Sequence, residues 1–269
     1  MEKGCIICVK NLSKSFKEIK AVEDISFEVK RGEIFAFLGP NGAGKSTTIK
    51  MLTTLLNPTK GSVLMNGFDP MKEPDNVRKT FGIVFQDPSV DDELTAYENM
   101  WLHGVLYNIP YDVLKERIEY LMNIVELWER KDSQVKTFSG GMRRRLEIAR
   151  GLLHHPTILF LDEPTLGLDP QTRNHIWEHI RMLNRTEHIT VFFTTHYMEE
   201  ADRVADRIAI IDHGRIVATG TSAELKKKTK KSSLEDAFID LTGKDIREEE
   251  ASNLDNMRLR RRAMRKVPT

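Results

Sequence analysis

The spacing of apolar residues changes along the chain, and each spacing predicts the type of secondary structure of its segment. CIICVKNL (residues 5–12) and AVEDISFEV (residues 21–29) alternate as antiparallel strands with one solvated face do. A turn at residues 30–32 leads into EIFAFLG, and GSVLMNG predicts a further short strand that ends in an Asn-Gly turn. We therefore expect an antiparallel β-subdomain near the N-terminus.

Continuous apolar runs follow, and they alternate with helical segments. FGIVF, TILFL and ITVFFTT are typical of parallel strands that are covered on both faces. QTRNHIWEHIRMLN predicts a helix between the last two runs, and His213-Gly214 predicts a hairpin turn. This alternation indicates an α/β core.

One region interrupts the alternation with helical periodicity. Thr95 and Glu98 have the spacing of a capping box. Apolar residues then recur at three- and four-residue spacings, at Leu114, Ile118, Leu121, Ile124 and Val125. We expect a helical lobe at about residues 88–153, inserted in a domain that spans residues 1–222. Residues 223–269 are expected to form an extension with one short amphipathic helix (SLEDAFIDLTG) and a charged, mobile tail.

Composition excludes several classes of protein. The 269 residues are 40% hydrophobic and 30% charged, with a net charge of +1, which does not indicate a nucleic-acid partner. The longest apolar runs are far shorter than the roughly 20 residues that span a bilayer. The N-terminus has no apolar signal region. We expect a soluble, cytoplasmic protein.

Cys5 and Cys8 form a C-x-x-C pair. A zinc site needs further ligands, and the sequence offers no second cysteine pair or nearby histidine cluster. A thioredoxin-like pair would begin a helix, whereas this one begins a predicted strand. We expect a strand here and no redox chemistry.

A phosphate-binding motif lies between a predicted strand and a predicted helix. The segment GPNGAGKST matches the P-loop pattern, in which glycines let backbone amides surround a phosphate. Lys45 supplies a charge between the β- and γ-phosphates, and Ser46 offers a hydroxyl to Mg²⁺. The candidate ATP-binding residues here are Gly39, Pro40, Asn41, Gly42, Ala43, Gly44, Lys45, Ser46 and Thr47.

Two acidic residues end the TILFL run. Ligands of open α/β sheets collect at the carboxyl ends of strands, where Asp162 would hold Mg²⁺. Adjacent residues of a strand point to opposite sides, so Glu163 would be free to polarise an attacking water. The alternative is that both acids only solubilise a strand end. Gln86 and His196 also follow buried strands, and each alone is more typical of a structural residue.

A second phosphate-binding device is predicted in the helical lobe. Ser139-Gly140-Gly141 precedes a helix with Met142, Leu146, Ala149 and Leu153 on one face and arginines elsewhere. One ATP cannot easily use both this helix and the P-loop of the same chain. It can do so if two copies meet head to tail, so that each helix closes over the other copy's nucleotide.

These motifs together resemble the nucleotide-binding subunits of ABC transporters over roughly residues 6–220. GPNGAGKST resembles their Walker A motif, and Gln86 their Q-loop. FSGGM resembles their signature motif, and ILFLDEPTLGLDP their Walker B motif and D-loop. TTH resembles the segment that carries their switch histidine. The resemblance implies an ABC ATPase fold: a RecA-like P-loop core with an N-terminal antiparallel β-subdomain and an inserted α-helical subdomain.

The resemblance also implies roles for residues. Ser139 and Gly141 would hold the γ-phosphate of the partner's ATP, with Gly140 between them. Gly167, Leu168 and Asp169 would cross the dimer interface as the D-loop. Ser46, Gln86 and Asp162 would hold Mg²⁺, and Lys45, Gln86, Glu163 and His196 would serve hydrolysis. Phe16 would stack on adenine; its alternative is a buried strand residue. The signature departs from its common form at Phe138 and Met142, and Met142 lacks the polar contacts of the usual glutamine.

Within the family, FGIVFQDPSVDDELTAYENM, SGGMRRRLEIAR and LEDAFIDLTGKD resemble the drug-exporter branch typified by daunorubicin-resistance ATPases. This likeness implies an ATP-hydrolysing subunit that pairs with a second copy of itself and docks on a separate transmembrane permease. It would lie on the inner face of the membrane, with Tyr97 and Trp101 as permease contacts or as core residues.

Other classes of function stay open at this stage. A soluble ABC ATPase that acts on DNA or ribosomes usually carries two ATPase units or a long coiled coil, whereas this chain has one P-loop. A regulatory module without hydrolysis would not need Glu163 and His196. The basic segment at residues 256–266 is either a solvated extension or a contact to anionic lipid.

Overall fold

The structure is a computed structural model that describes residues 4–243, and it has an α/β architecture. The strands of the described residues are β1 (Cys5–Phe16), β2 (Ile19–Lys30), β3 (Ile34–Leu38), β4 (Lys60–Met65), β5 (Phe81–Val84), β6 (Ile158–Asp162), β7 (Thr190–Thr195), β8 (Arg207–Asp212) and β9 (Arg215–Gly220). The α-helices of the same residues are α1 (Lys45–Leu52), α2 (Pro74–Thr80), α3 (Ala96–Leu106), α4 (Tyr111–Ile124), α5 (Gly140–Gly151), α6 (Pro170–Glu187), α7 (Met198–Val204), α8 (Ser222–Thr229) and α9 (Leu234–Thr242).

The strands form two sheets. A three-stranded antiparallel sheet has the order β2-β1-β4, as the alternating pattern near the N-terminus predicts. A six-stranded sheet has the order β5-β6-β7-β3-β8-β9, in which β9 alone pairs antiparallel. The four strands from β5 to β3 are adjacent and parallel, so their carboxyl ends meet at one edge.

Both faces of the larger sheet are buried, which explains its continuous apolar runs. Along β3, Ala36 and Leu38 face the cluster that includes the helical lobe, whereas Phe35 and Phe37 face the smaller sheet. Phe35 stacks with Phe192 at 5.7 Å between ring centroids, and such aromatic pairs add to the burial of apolar area. The larger sheet therefore joins two cores.

Helices α3, α4 and α5 lie in sequence between β5 and β6. The capping box at Thr95 and Glu98 is present at the start of α3, as predicted. Leu114, Ile118 and Leu121 are fully buried, in agreement with the helical periodicity. The helical segment is broken before Pro110, which precedes α4.

The chain beyond Thr221 differs from its prediction, because it contains two helices rather than one. Lys226, Lys227 and Lys228 lie in α8, which begins with a capping box from Thr221 to Glu224. Leu225 of α8 and Phe238 of α9 are buried in the larger core. Leu225 is the one buried residue of α8, and lysines follow it. The spacing of apolar residues therefore does not predict this helix. The acidic and basic segments at residues 248–250 and 256–266 lie outside the described residues.

The cysteine pair lies in β1, as predicted, and its sulfur atoms form a disulfide, which was not expected. Residues three apart in a regular strand point to opposite faces. The ladder between β1 and β2 shifts register between Cys5 and Ile7, and this irregularity lets both side chains meet. None of the helices between residues 4 and 243 combines the length and the apolar character that a membrane span requires.

Candidate functional site

Four predicted site segments meet at one edge of the larger sheet. The P-loop follows β3, Gln86 follows β5, Glu163 follows β6 and His196 follows β7. The strand ends are in register, because Leu38 is opposite Thr195 and Asp162 is opposite Thr194. Parallel strands thus bring together residues that are far apart in sequence, as the strand-end argument predicts.

The P-loop has the backbone conformation that its glycines permit. Gly42 and Gly44 have φ values of 78° and 103°, in the left-handed region that favours glycine. Gly44 is the N-cap of α1, so the first amides of this helix face the loop. These amides and the helix dipole favour an anion at this position.

Lys45 is buried inside this loop with only 5% of its surface exposed. Its Nζ donates hydrogen bonds to the carbonyl oxygens of Gly39 and Pro40, at 2.8 and 3.0 Å. The same nitrogen lies 3.1 Å from Oε1 of Glu163. Phosphate oxygens in the loop would compete with Glu163 for this ammonium group.

Glu163 connects Lys45 to His196. Its second oxygen, Oε2, lies 3.1 Å from Nδ1 of His196. Burial raises the pKa of the Glu163 carboxyl, but the hydrogen bond to His196 and the charge of Lys45 outweigh burial and lower this pKa below its usual value. Glu163 is therefore an anion at neutral pH and can accept a proton.

Asp162 makes a separate set of contacts. Its Oδ1 accepts hydrogen bonds from the hydroxyls of Thr194, at 2.6 Å, and Ser46, at 3.2 Å. The side chains of Asp162 and Glu163 thus have different partners, as predicted. The physical reason differs from the predicted one. Glu163 lies just beyond β6 with a φ of 49°, so a left-handed turn, rather than the pleat of a strand, separates their directions.

The residues near Ser46 fit a magnesium ion. Mg²⁺ prefers hard oxygen ligands and keeps several waters or phosphate oxygens. The hydroxyl of Ser46 and the carboxylate of Asp162 supply such oxygens on adjacent elements. Within the described chain, no group of three or more His, Cys, Asp or Glu residues could hold a metal by itself. This donor set suits an ion that arrives with a nucleotide.

Gln86 lies in the loop after β5, where its backbone oxygen accepts a hydrogen bond from Arg144 at 3.1 Å. Arg144 and Thr194 are members of this region that the sequence motifs do not identify. Thr194 appears in the sequence only as part of an apolar run, and Arg144 only as one of several arginines on the polar side of a helix.

The second predicted phosphate device is the exposed start of α5. Ser139 is the N-cap of this helix, and its hydroxyl accepts a hydrogen bond from the Met142 amide at 3.3 Å. Ser139 and Gly140 are exposed, whereas Gly141 is buried. A Cβ atom on Gly141 would overlap the side chain of Thr172 in α6. Glycine at this position therefore lets two helices approach closely.

The predicted D-loop leads into α6. Gly167 has a φ of 77°, and Asp169 is the N-cap of the helix. The Asp169 carboxylate accepts hydrogen bonds from the hydroxyl and the amide of Thr172, at 2.6 and 3.0 Å, and these bonds lower its pKa. Asp169 thus has a capping role in one chain, next to the start of α5.

Phe16 lies at the end of β1 with 46% of its surface exposed, which excludes its interpretation as a buried strand residue. The Nζ of Lys14 lies 5.2 Å from the centre of its ring. Ile19 is opposite Phe16 in the hairpin and is 70% exposed. An exposed aromatic ring beside a cation is available to stack on a base.

Tyr97 and Trp101 are partly buried against the core and stack on each other. More exposed apolar side chains lie nearby on α3 and α4, and no motif in the sequence singles them out. They are Leu102, Val105, Leu106, Tyr111 and Val113. An apolar band of this kind on a surface is typical of an interaction site.

Comparison with known proteins agrees with this geometry. Residues 22–166 match the family model described as ABC transporter. The chain is 46% identical, over 80% of its length, to the daunorubicin/doxorubicin resistance ATP-binding protein DrrA of Streptomyces peucetius, and it spans 65% of that protein. It is 40% identical, over 82% of its length, to the Nod factor export ATP-binding protein I of Ralstonia nicotianae, of which it spans 68%.

A solved structure is similar as well. It is a dimeric ATP-binding cassette of an ABC transporter in a post-hydrolysis state, bound to ADP and Pi. It has a TM-score of 0.71 and 27% identity to this chain, covering 80% of this chain and 98% of its own. The chain thus belongs to the ABC transporter family of ATP-binding proteins and has the ABC ATPase fold.

Proposed function

We propose that this chain is the ATP-hydrolysing subunit of an ABC exporter, and that it works as a head-to-tail dimer on a separate membrane permease. The observation that carries the proposal is the chain of contacts from buried Lys45 through buried Glu163 to half-buried His196, beside the Ser46–Asp162 pair. This group contains a phosphate-binding cation, an ionised acid and a metal-binding oxygen pair at the end of parallel strands.

Each residue of the group has a task in phosphoryl transfer to water. Lys45 would neutralise charge on the β- and γ-phosphates, which is the main form of catalysis in P-loop enzymes. Glu163 would orient the attacking water and accept its proton, because its lowered pKa keeps it ionised. His196 shares a hydrogen bond with Glu163 and would hold that carboxylate in place near the γ-phosphate.

Ser46, Asp162 and Gln86 are the residues that would hold Mg²⁺. The ion bound with ATP would neutralise charge on the phosphates. Ser46 and Asp162 contribute to its binding from α1 and β6, and Gln86 from the loop after β5. Chelation of Mg²⁺ is expected to abolish hydrolysis.

The exposed start of α5 would complete the site of a second copy. Ser139 and Gly140 present a helix N-terminus at the surface, a position that favours an anion. The D-loop of residues 167–169 adjoins it, since Gly141 packs on Thr172. Two copies in head-to-tail contact would place each such helix over the partner's γ-phosphate. The similar cassette that forms a dimer supports this arrangement.

The apolar band on α3 and α4 is the proposed docking surface for the permease. Leu102, Leu106 and Tyr111 are 53%, 71% and 65% exposed. Trp101 stacks with Tyr97 and also makes an edge contact with Tyr111 of this band. The permease would hold the chain at the inner face of the membrane. The names of the two relatives, one for drug resistance and one for export, favour outward transport.

Complementation between two inactive variants tests the composite site. Lys45→Ala removes the P-loop charge but keeps the start of α5. Ser139→Arg blocks the start of α5 but keeps the P-loop. We expect each variant alone to lack ATP hydrolysis. A mixture should regain part of the normal activity, at most about half, because only a mixed dimer has an intact site and each mixed dimer has one of two.

Phosphate release from the mixture, measured against protein concentration, gives the result. Activity should rise more steeply than in proportion to concentration, since the active species is a dimer. A mixture as inactive as its components, beside a wild-type chain that hydrolyses ATP, would contradict the head-to-tail site. Mixing Lys45→Ala with Glu163→Gln is the matched control, because no mixed dimer of these variants has an intact site.

A further inference from the structure

A buried acid of α7 lies beside the segments that carry Glu163 and His196. Glu200 has only 4% of its surface exposed, and no motif in the sequence singles it out. Carboxylates are rarely buried this deeply unless they have partners. Because Glu200 follows His196 by four residues, its partners lie close to the proposed catalytic group and indicate what this acid does.

The carboxylate of Glu200 connects two segments of the site. Its Oε1 accepts a hydrogen bond of 2.7 Å from the hydroxyl of Thr165, which lies two residues after Glu163. Its Oε2 accepts one of 3.3 Å from the hydroxyl of Thr195, the residue before His196. Both threonines are only 1% exposed, so water does not replace Glu200 as their partner. One carboxylate thus holds the chain next to each member of the Glu163–His196 pair.

The turn after β6 needs support because of its backbone conformation. Glu163 has a φ of 49°, in the left-handed region that a residue with a side chain adopts only where the surrounding structure holds it. The Glu163 amide donates to the Thr194 oxygen at 3.2 Å, and the Leu166 amide donates to the Glu163 oxygen at 3.2 Å. The bond from Thr165 to Glu200 adds a contact from α7, so the turn is held from outside its own strand.

The end of β7 belongs to the same network. The Thr195 hydroxyl also accepts a hydrogen bond from the Tyr197 amide at 2.9 Å, and the Tyr197 ring lies 4.2 Å from the His196 ring. Arg173 of α6 lies 4.8 Å from the centre of the Tyr197 ring and 3.9 Å from Oε1 of Glu200. The guanidinium places a positive charge beside the buried acid and so reduces the cost of its burial.

We infer that Glu200 is a positioning residue that holds Glu163 and His196 at the separation at which they share a hydrogen bond. This bond joins Oε2 of Glu163 to Nδ1 of His196 at 3.1 Å, across two different strands. The inference rests on the proposed function, because the separation affects turnover only if Glu163 acts in hydrolysis. Loss of Glu200 should leave ATP binding nearly intact, since Lys45 and the P-loop amides hold the phosphates.

Steady-state phosphate release from Glu200→Ala tests this role. We expect kcat to fall about 10–100-fold and KM to change less than about threefold, because a displacement of about 1 Å at a reacting group lowers the rate more than the affinity. Glu200→Gln should keep most of the turnover, since its amide oxygen can accept from Thr165 and its NH₂ group can donate to Thr195. Rescue by glutamine separates a hydrogen-bonding role from a role of the negative charge.

Two other acids provide matched controls. Asp202 lies on the same helix, and its carboxylate accepts hydrogen bonds from Lys226 of α8 at 2.7 and 2.8 Å. Asp202→Ala therefore removes a side-chain contact of α7 that does not involve the two site segments. Glu33 is 8% exposed and lies just before β3, at the opposite edge of the sheet from the site. Glu33→Ala removes a buried carboxylate there. Both controls should keep near-normal kcat and KM.

NMR of the histidine rings tests the geometry without hydrolysis. The chain has 8 histidines, and the ring ¹⁵N signals of His196 can be identified by their absence from His196→Gln. Glu163→Ala removes the hydrogen-bond partner and supplies the reference shift of a released His196 ring. In Glu200→Ala the His196 signals should move toward this reference. In Asp202→Ala they should stay at their wild-type positions.

Milder substitutions serve if Glu200→Ala does not fold. Thr165→Val and Thr195→Val each remove one of the two hydroxyls that Glu200 binds and keep the branched shape of the side chain. Each should lower kcat less than Glu200→Ala would, with KM nearly unchanged, and each should move the His196 signals in the same direction as Glu163→Ala. Wild-type kcat and wild-type signals in both valine variants would contradict the role of Glu200.

The inference is overturned by a wild-type kcat in Glu200→Ala, or by an equal loss of kcat in the two control variants. His196 signals that do not move in Glu200→Ala would overturn it as well. Near-normal turnover in Glu163→Gln would instead contradict the proposed function. The NMR comparison would then still test whether Glu200 holds the Glu163–His196 contact.

Discussion

The two halves of the proposed ATP site differ in how far a single chain completes them. Around Lys45 and Glu163, each charged group is buried and has partners within about hydrogen-bond distance, at 2.8–3.1 Å. At the start of α5, Ser139 and Gly140 are exposed, and the serine bonds to an amide of its own helix. This difference supports our proposal that a second molecule completes the site at the start of α5.

Of the substitutions considered, Glu163→Gln in the buried half of the site should have the largest effect, and this effect is on turnover. We expect turnover to fall by about 10²–10⁴-fold, because an amide cannot accept the proton of the attacking water. ATP binding should persist, since Lys45 keeps its contacts to Gly39 and Pro40. Phosphate release and nucleotide binding measure the two effects. Glu187→Gln, at the ion pair between half-buried Glu187 and Arg117, is the control, and near-normal turnover in Glu163→Gln would exclude Glu163 as the base.

The close contact between α5 and α6, next to the exposed half of the site, can be tested by substituting two neighbouring glycines. Gly141→Ala places a methyl group into Thr172 and should lower the free energy of unfolding by about 1–3 kcal/mol, as overpacking usually does. Gly140→Ala should cost less, because its added Cβ would lie 3.2 Å from the end of the Leu168 side chain. Urea unfolding of both variants gives the comparison. Equal stability would contradict the close approach of α5 and α6.

Substitution of Phe16, whose ring is exposed at the end of β1, should change only the affinity for nucleotide. Phe16→Ala is expected to weaken ATP binding about tenfold, because the stacking of a base on an aromatic side chain contributes about 1–3 kcal/mol. Phe16→Tyr should keep the affinity. Ile19→Ala changes the opposite exposed residue of the hairpin and serves as the control in the same titration. Equal affinities for Phe16→Ala and Ile19→Ala would exclude a stack at Phe16.

The smallest expected effect is a pH dependence of stability. The folded chain holds the Glu163 pKa below its usual value of 4.5, so the ionised carboxylate stabilises the fold above this pH. As pH falls below 4.5, the wild type should lose stability more steeply than Glu163→Gln. Urea unfolding from pH 6 to pH 3 measures the two slopes, and parallel slopes below pH 4.5 would contradict the assignment.

Most of the fold and the first half of the site could be predicted from sequence. The predicted α/β ABC ATPase fold is confirmed, as is membership of the family. Buried parallel strands have continuous apolar runs, and their register requires that the residues after them meet. For this reason the apolar pattern alone predicts that Gln86, Glu163 and His196 lie at one edge of the sheet.

Several contacts could not be predicted, because they depend on groups that are distant in sequence. Helical periodicity assigned every arginine of α5 to the polar face, whereas Arg144 is buried against a loop that begins 59 residues earlier. The disulfide needs an irregularity in β1, and the direction of Glu163 needs a left-handed turn. Apolar patterns carry no information about such local backbone geometry. The roles of the site residues and the domain boundaries stay predictions.

The solution mass of Glu163→Gln, measured by light scattering with and without Mg·ATP, tests the central claim most directly. We expect a monomer without nucleotide and a dimer with ATP, because slow hydrolysis keeps two nucleotides between the chains. Adding Ser139→Arg should return the ATP-bound protein to a monomer while P-loop binding persists. A dimer that survives Ser139→Arg, or that forms equally without ATP, would contradict a site completed by the partner's helix.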